Sequence, residues 1–157
     1  MRGNNGDDDF FGGAGHDVMF GNGGADFFQA DAGHDRMHAG AGADTLLGGA
    51  GNDTAYADTG NDLVQGGEGS DAIYAGAGHD TVWGDAPDMV ATAGVSYDDL
   101  IEAGSGHDLV FGGLGSDRLY GDGGVDSMDG EDGTDSLYGG EGNDALRGRA
   151  GDDVILG

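Results

Sequence analysis

The chain has 157 residues, of which 38 are glycine and only 36% are hydrophobic, a composition too poor in apolar side chains for a close-packed globular core. Thirty-one acids stand against five arginines and no lysine, for a formal net charge of −26. This excludes the basic surfaces that nucleic acid and anionic membranes require and makes cations the natural partners. With no cysteine, disulfides and thiolate metal sites are excluded too, and oxygen is the ligand that remains.

Residues 1–10 (MRGNNGDDDF) lack the basic and apolar regions of a signal peptide, and no apolar run approaches the length of a membrane span, so membrane insertion is not expected. From here an aspartate recurs every nine residues, at Asp8, Asp17, Asp26, Asp35, Asp44, Asp53, Asp62, Asp71 and Asp80. After one irregular stretch the comb resumes at Asp99, Asp108, Asp117, Asp126, Asp135, Asp144 and Asp153. A glycine lies two residues before every one of these acids except Asp99, and an apolar residue lies two residues after each. The unit is GGxGxDxUx, matched closely by residues 48–56 (GGAGNDTAY), 66–74 (GGEGSDAIY), 112–120 (GGLGSDRLY) and 139–147 (GGEGNDALR).

Six residues of the unit, GGxGxD, have turn chemistry, because glycine reaches positive φ without penalty, and xUx can be extended. Each unit therefore predicts a turn followed by a short strand whose central residue points inward. The interior expected from this alternation is Phe10, Met19, Phe28, Met37, Leu46, Ala55, Val64, Ile73, Val82, Ile101, Val110, Leu119, Met128, Leu137, Leu146 and Ile155. The next residue is often aromatic (Phe11, Phe20, Tyr56, Tyr74, Trp83, Phe111, Tyr120, Tyr138) and should face outward. Phe20, His38, Tyr56 and Tyr74 would then stack as an aromatic ladder, or form a strip for glycan or protein contact.

The irregular stretch spans residues 84–93 (GDAPDMVATA). Asp99 follows Asp80 by 19 residues, one more than two repeats, so this segment can take the length of one repeat with a single extra residue, and a loop or bulge is expected at Pro87.

His16, His34, His79 and His107 each precede a comb aspartate and read as polar turn residues, with His16 and His34 as stacked neighbours able to hold a transition metal. Arg36, Arg118, Arg147 and Arg149 read as solvated charges. No HExxH or GxSxG pattern occurs, so no catalytic residue and no enzyme activity are expected.

The nonapeptide is the established signature of the calcium-binding RTX repeat, and nearly all of the chain strongly resembles the RTX, or hemolysin-type, calcium-binding repeat family. The resemblance implies an all-β fold, a right-handed parallel β-roll solenoid with two nonapeptides per coil, forming a single domain over residues 1–157. Regular repeats would cover 3–83 and 94–157, with the irregular half-coil or loop at 84–93. It implies calcium, roughly a dozen ions, held between turns of repeats i and i+2 by the sixteen comb aspartates. With repeats of the same parity stacked and the irregular stretch filling one half-coil, one row of carboxylates is expected to run Asp8, Asp26, Asp44, Asp62, Asp80, Asp99, Asp117, Asp135 and Asp153. The other would run Asp17, Asp35, Asp53 and Asp71, break, and resume at Asp108, Asp126 and Asp144. The apolar side chains are too few to offset the cost of ordering the backbone, so folding is expected to be coupled to calcium binding.

Relatives in this family are typically exported by a C-terminal signal beyond their repeats, which implies an extracellular, secreted scaffold; this chain stops inside a repeat, at Gly157. Three other roles fit the same residues. They are a calcium-dependent filament that self-associates through uncapped solenoid ends, the noncatalytic repeat part of a larger secreted enzyme or toxin, and a glycan-binding module built on the aromatic strip.

Overall fold

Glycine turns alternating with short apolar strands produce a chain that coils upon itself. The computed structural model describes all 157 residues, and the fold is all-β without a helix. Its strands are β1 (Asp9–Ala14), β2 (Val18–Gly23), β3 (Phe27–Ala32), β4 (Arg36–Ala41), β5 (Thr45–Ala50) and β6 (Thr54–Thr59). They continue with β7 (Leu63–Glu68), β8 (Ala72–Gly78), β9 (Thr81–Trp83), β10 (Leu100–Gly106), β11 (Leu109–Leu114) and β12 (Arg118–Tyr120). The last are β13 (Gly123–Gly124), β14 (Ser127–Asp132), β15 (Ser136–Tyr138), β16 (Glu141–Gly142), β17 (Ala145–Arg147) and β18 (Val154–Leu156).

Successive strands go to opposite sheets. One runs β1-β3-β5-β7-β9-β11-β14-β17, the other β2-β4-β6-β8-β10-β12-β15-β18 with β13 and β16 beside it, and every pairing is parallel. Two repeats therefore make one coil, and about eight coils stack into a parallel β-solenoid. Outside the irregular stretch partners are 18 residues apart, as in Phe10 opposite Phe28 and Met19 opposite Met37.

The expected interior residues from Phe10 to Leu137 are all buried between the sheets, and the Phe10 and Phe28 rings stack at 4.7 Å. Leu146 is half-buried and Ile155 is 45% exposed, because no further coil covers the last one. A second inward position escaped the sequence reading. Ala30, Ala39, Ala57, Ala75 and Ala103 are buried in the slot of the first repeat glycine, where only glycine or alanine fits between the sheets.

Most strands are twice the expected three residues. The ladder continues through the glycine pair because stacked coils follow the same path, so each corner can bond its copy one coil on, as Gly33 N–H does to the Ala50 carbonyl at 2.8 Å.

The expected parity across the irregular stretch is overturned. β8 pairs with β10 and β9 with β11, so Asp71 is followed in its row by Asp99 and Asp80 by Asp108, at separations of 28 instead of 18. The ten extra residues fill no half-coil. Gly84 and Asp85 still bond to the next coil through Phe111 and Gly112. The chain then leaves the solenoid at Ala86 and returns at Tyr97, which is buried in the slot of a turn glycine. The Tyr97 hydroxyl accepts the Thr92 N–H at 2.8 Å and holds the excursion against the stack. Spacing alone could not reveal this, since one extra residue in a half-coil and ten in a whole coil give the same count.

Candidate metal centre

Each comb aspartate closes a glycine turn and leads into a strand, at a corner where the chain swings from one sheet to the other. Its Oδ1 accepts the main-chain N–H of the comb aspartate one coil earlier, at 2.6–3.0 Å, in every coil-to-coil step of both rows. Its carbonyl accepts an N–H from the following coil, as Asp26 does from Thr45 at 2.9 Å. The side chains are thereby fixed in two columns of eight: Asp8, Asp26, Asp44, Asp62, Asp80, Asp108, Asp126 and Asp144, and Asp17, Asp35, Asp53, Asp71, Asp99, Asp117, Asp135 and Asp153. Each column has seven gaps.

The second oxygen is the unusual one. At Asp26, Asp35, Asp44, Asp53, Asp62, Asp71, Asp80, Asp99, Asp108, Asp117, Asp126 and Asp135, Oδ2 is shut off from solvent without any hydrogen-bond partner. Buried polar atoms are normally paired, so an unpaired series this long needs a positive charge or a donor. Burial pushes the carboxyls of Asp53 and Asp108 up to about 6, those of Asp62 and Asp71 to about 7, Asp117 to about 8 and Asp99 to about 10. The N–H bond from the preceding coil opposes this rise, and neighbouring carboxylates add to it.

Carbonyls face the same space. At Gly121, the point a Cβ would occupy lies 2.5 Å from the Gly139 carbonyl oxygen and 2.7 Å from Asp126 Oδ2. At Gly12 the Ala30 carbonyl and Asp17 Oδ2 approach that point to 2.7 and 3.0 Å. A carbonyl and a comb carboxylate from adjacent coils thus lie close together beside the first repeat glycine, the slot that alanine fills in five other repeats. No three His, Asp or Glu side chains converge on one point, so backbone carbonyls would have to complete a coordination shell. Carboxylate and carbonyl oxygens are the donor set of a hard divalent cation, and calcium fits it.

Residues off the comb have structural roles. The side chain before the comb aspartate caps the next coil: His16 and His34 accept N–H groups of His34 and Asn52 at Nδ1 (2.8 and 2.7 Å), and His79 and His107 do the same for His107 and Val125. The stacked His16 and His34 rings, 5.0 Å apart, spend their Nδ1 lone pairs on the backbone, so the transition-metal reading loses these two donors. Asn22, Asp31, Asp58, Asp122, Glu131 and Arg149 take the second repeat glycine's place at positive φ. The substitution of that glycine four residues before a comb aspartate was the legible signal for this group. Arg149 is also no free charge, since its Nε lies 2.6 Å from Asp129 Oδ1 and Nη1 3.4 Å from Glu131 Oε1.

A family model described as the RTX calcium-binding nonapeptide repeat (4 copies) matches residues 2–37, 20–55, 56–86, 94–128 and 129–157. The gap between the third and fourth matches coincides with the excursion from the solenoid. No curated protein and no solved structure matches the chain. The chain belongs to the RTX calcium-binding nonapeptide repeat family. Calcium is the cation this repeat family binds, and the chain stacks buried aspartates in two columns.

Proposed function

We propose that the chain is a secreted scaffold that folds when it binds calcium, with the sixteen comb aspartates, Asp8 through Asp153, as the carboxylate ligands. The observation that carries this reading is the series of buried Oδ2 atoms without partners, each column running from coil to coil. Calcium supplies the positive charge that lets closely stacked carboxylates stay ionised away from water.

The chain's own groups do the rest. As the coils stack, Oδ1 is anchored to the preceding coil and Oδ2 is thereby aimed into the gap. The turn glycines leave their carbonyls unshielded. Because the oxygens of one site come from two coils, no complete site exists in the unfolded chain, and binding and folding are one event. Each interior aspartate faces a gap on either side, which makes the transition cooperative along the stack.

Calcium is scarce inside cells and plentiful outside, and extracellular modules commonly bind it at about 10⁻⁴–10⁻³ M. A chain with this switch stays unfolded before export and folds afterwards, in keeping with the secreted proteins in which RTX repeats are typically found. The paired carboxyls are accounted for as ligands, and the reading assigns no catalytic role. Circular dichroism through a calcium titration tests it. The β signal should be lost in excess chelator and return cooperatively with calcium; a fully formed signal in chelator at neutral pH overturns the coupling.

A further inference from the structure

The residues excluded from the coil build a cleft that the calcium columns do not use. The excursion folds back along the eight-stranded sheet and encloses about 330 Å³ over Trp83 and Phe111, with Pro87 and Met89 as its wall. The Trp83 and Phe111 rings lie 8° from parallel with centroids 5.9 Å apart, a stacked pair that offers apolar ring surface to the cleft.

Asp85, Asp88, Glu131 and Asp132 line the same cleft. Asp85 is only 4% exposed; its Oδ2 accepts the Leu114 N–H at 2.6 Å, while its buried Oδ1 has no partner. Burial pushes this carboxyl up to about 7 against the Leu114 hydrogen bond, and Glu131 adds to the rise. Arg149, the one basic side chain in the cleft, is spent on Asp129 and Glu131. Glu131 and Arg149 moreover hold φ of 72° and 69°, a conformation costly for long side chains, so this rim is shaped against local backbone preference.

The cleft is rich in acceptors and short of donors. A sugar hydroxyl both donates and accepts, and would find few donors here; a bare metal ion gains little from a stacked aromatic floor. An alkylammonium group donates three hydrogen bonds and accepts none, and its stem packs on apolar surface. The chain has no lysine of its own, and a net charge of −26 draws basic segments toward it. We propose that this cleft binds a lysine side chain of a partner polypeptide, the stem lying on Trp83 and Phe111 and the ammonium donating to Asp85 Oδ1.

Trp83 is the only tryptophan, so its emission reports on the cleft directly. The full chain at saturating calcium is titrated with a doubly capped Gly-Lys-Gly peptide, its norleucine counterpart and n-butylamine. Expected are a saturable change with the lysine peptide, binding at least tenfold weaker for the norleucine peptide and weaker for n-butylamine, and at least a tenfold loss in Asp85→Asn. Circular dichroism verifies that the variant keeps its calcium transition. If Asp85→Asn disturbs it, Phe111→Ala serves as the second variant, with a severalfold loss expected.

Equal binding of lysine and norleucine peptides overturns the proposal in favour of a plain apolar groove. n-Butylamine binding as tightly as the peptide overturns the assignment to a partner's side chain. A response that survives both variants undiminished, one abolished by further calcium at constant ionic strength, or no saturable response also overturns it.

Discussion

At the scale of single residues, the comb aspartate is bound and unbound at once. Oδ1, the carbonyl and the N–H are all paired between coils, whereas Oδ2 is buried without a partner. The negative charge is therefore an asset with calcium and a liability without it. Asp99→Asn keeps an acceptor for the Asp71 N–H but removes the charge at the most strongly perturbed position. In calcium it should cost about 3–5 kcal/mol, the loss typical of breaking one half of a buried ion pair. In chelator the same variant should be more stable than the parent. Chemical denaturation under both conditions checks the reversal of sign, and a loss in both would assign Asp99 a purely steric role.

Acidity acts through the same carboxyls. In the metal-free fold the carboxyls of Asp62 and Asp71 are raised from 3.8 to about 7 and that of Asp117 to about 8. The folded state thus binds more protons than the unfolded chain. The penalty is complete above the raised values, shrinks as pH falls through them, and is gone below the unfolded value. In chelator, acidification from about pH 8 to about pH 5 should increase the β signal. With calcium present, protons compete for the same oxygens, so the calcium midpoint should rise over that range. Circular dichroism along both series reads the two opposite slopes.

At the scale of the coil and its strands, the second repeat glycine sets the corner. Gly40 has φ of 108°, and a Cβ there would lie 2.7 Å from the Asn22 carbonyl carbon in the coil below. Gly40→Ala should cost more than about 2 kcal/mol, through left-handed strain plus that collision. Asp58, in the same column at φ 73°, already bears a side chain. Asp58→Gly should stay within about 1 kcal/mol of the parent, because relief of strain is set against the entropy of an unfolded glycine. Thermal melts in calcium compare the two.

The core behaves conventionally. Leu46 is fully buried, and Leu46→Ala should cost about 2–5 kcal/mol, whereas Ile155→Ala on the exposed last coil should stay within about 0.5 kcal/mol. The aromatic ladder foreseen outside the sheet is present as Phe20, His38, Tyr56 and Tyr74, with ring centroids 4.6–4.9 Å apart. It ends where Glu102 lies next in the column beside Tyr74.

At the scale of the whole molecule, the solenoid tolerates an excursion because coils contact only their neighbours. Removing residues 87–96 would bring Asp99 nine residues after Asp80 and restore an unbroken comb. The shortened chain should fold with a calcium midpoint within about twofold of the parent, since closing a loop of 18 instead of 28 residues is worth only a few tenths of a kcal/mol. It should lose the cleft over Trp83. Failure to fold would mean that the segment is part of a coil after all, which a calcium titration by circular dichroism decides.

The nine-residue period was enough to read off the repeat, the inward apolar row and the comb of carboxylates, because each is a local pattern copied at constant spacing, while the parallel coil was implied by the resemblance to the repeat family. Which aspartate follows Asp71 and Asp80, how Asp85 came to be buried without a partner, and what Arg149 touches depended on the stacked coils. The first two join residues 28 and 29 positions apart across a segment that keeps no period, and chain spacing does not say whether such a segment lies within the stack or outside it; Arg149 meets Asp129 and Glu131 only because their coils are neighbours.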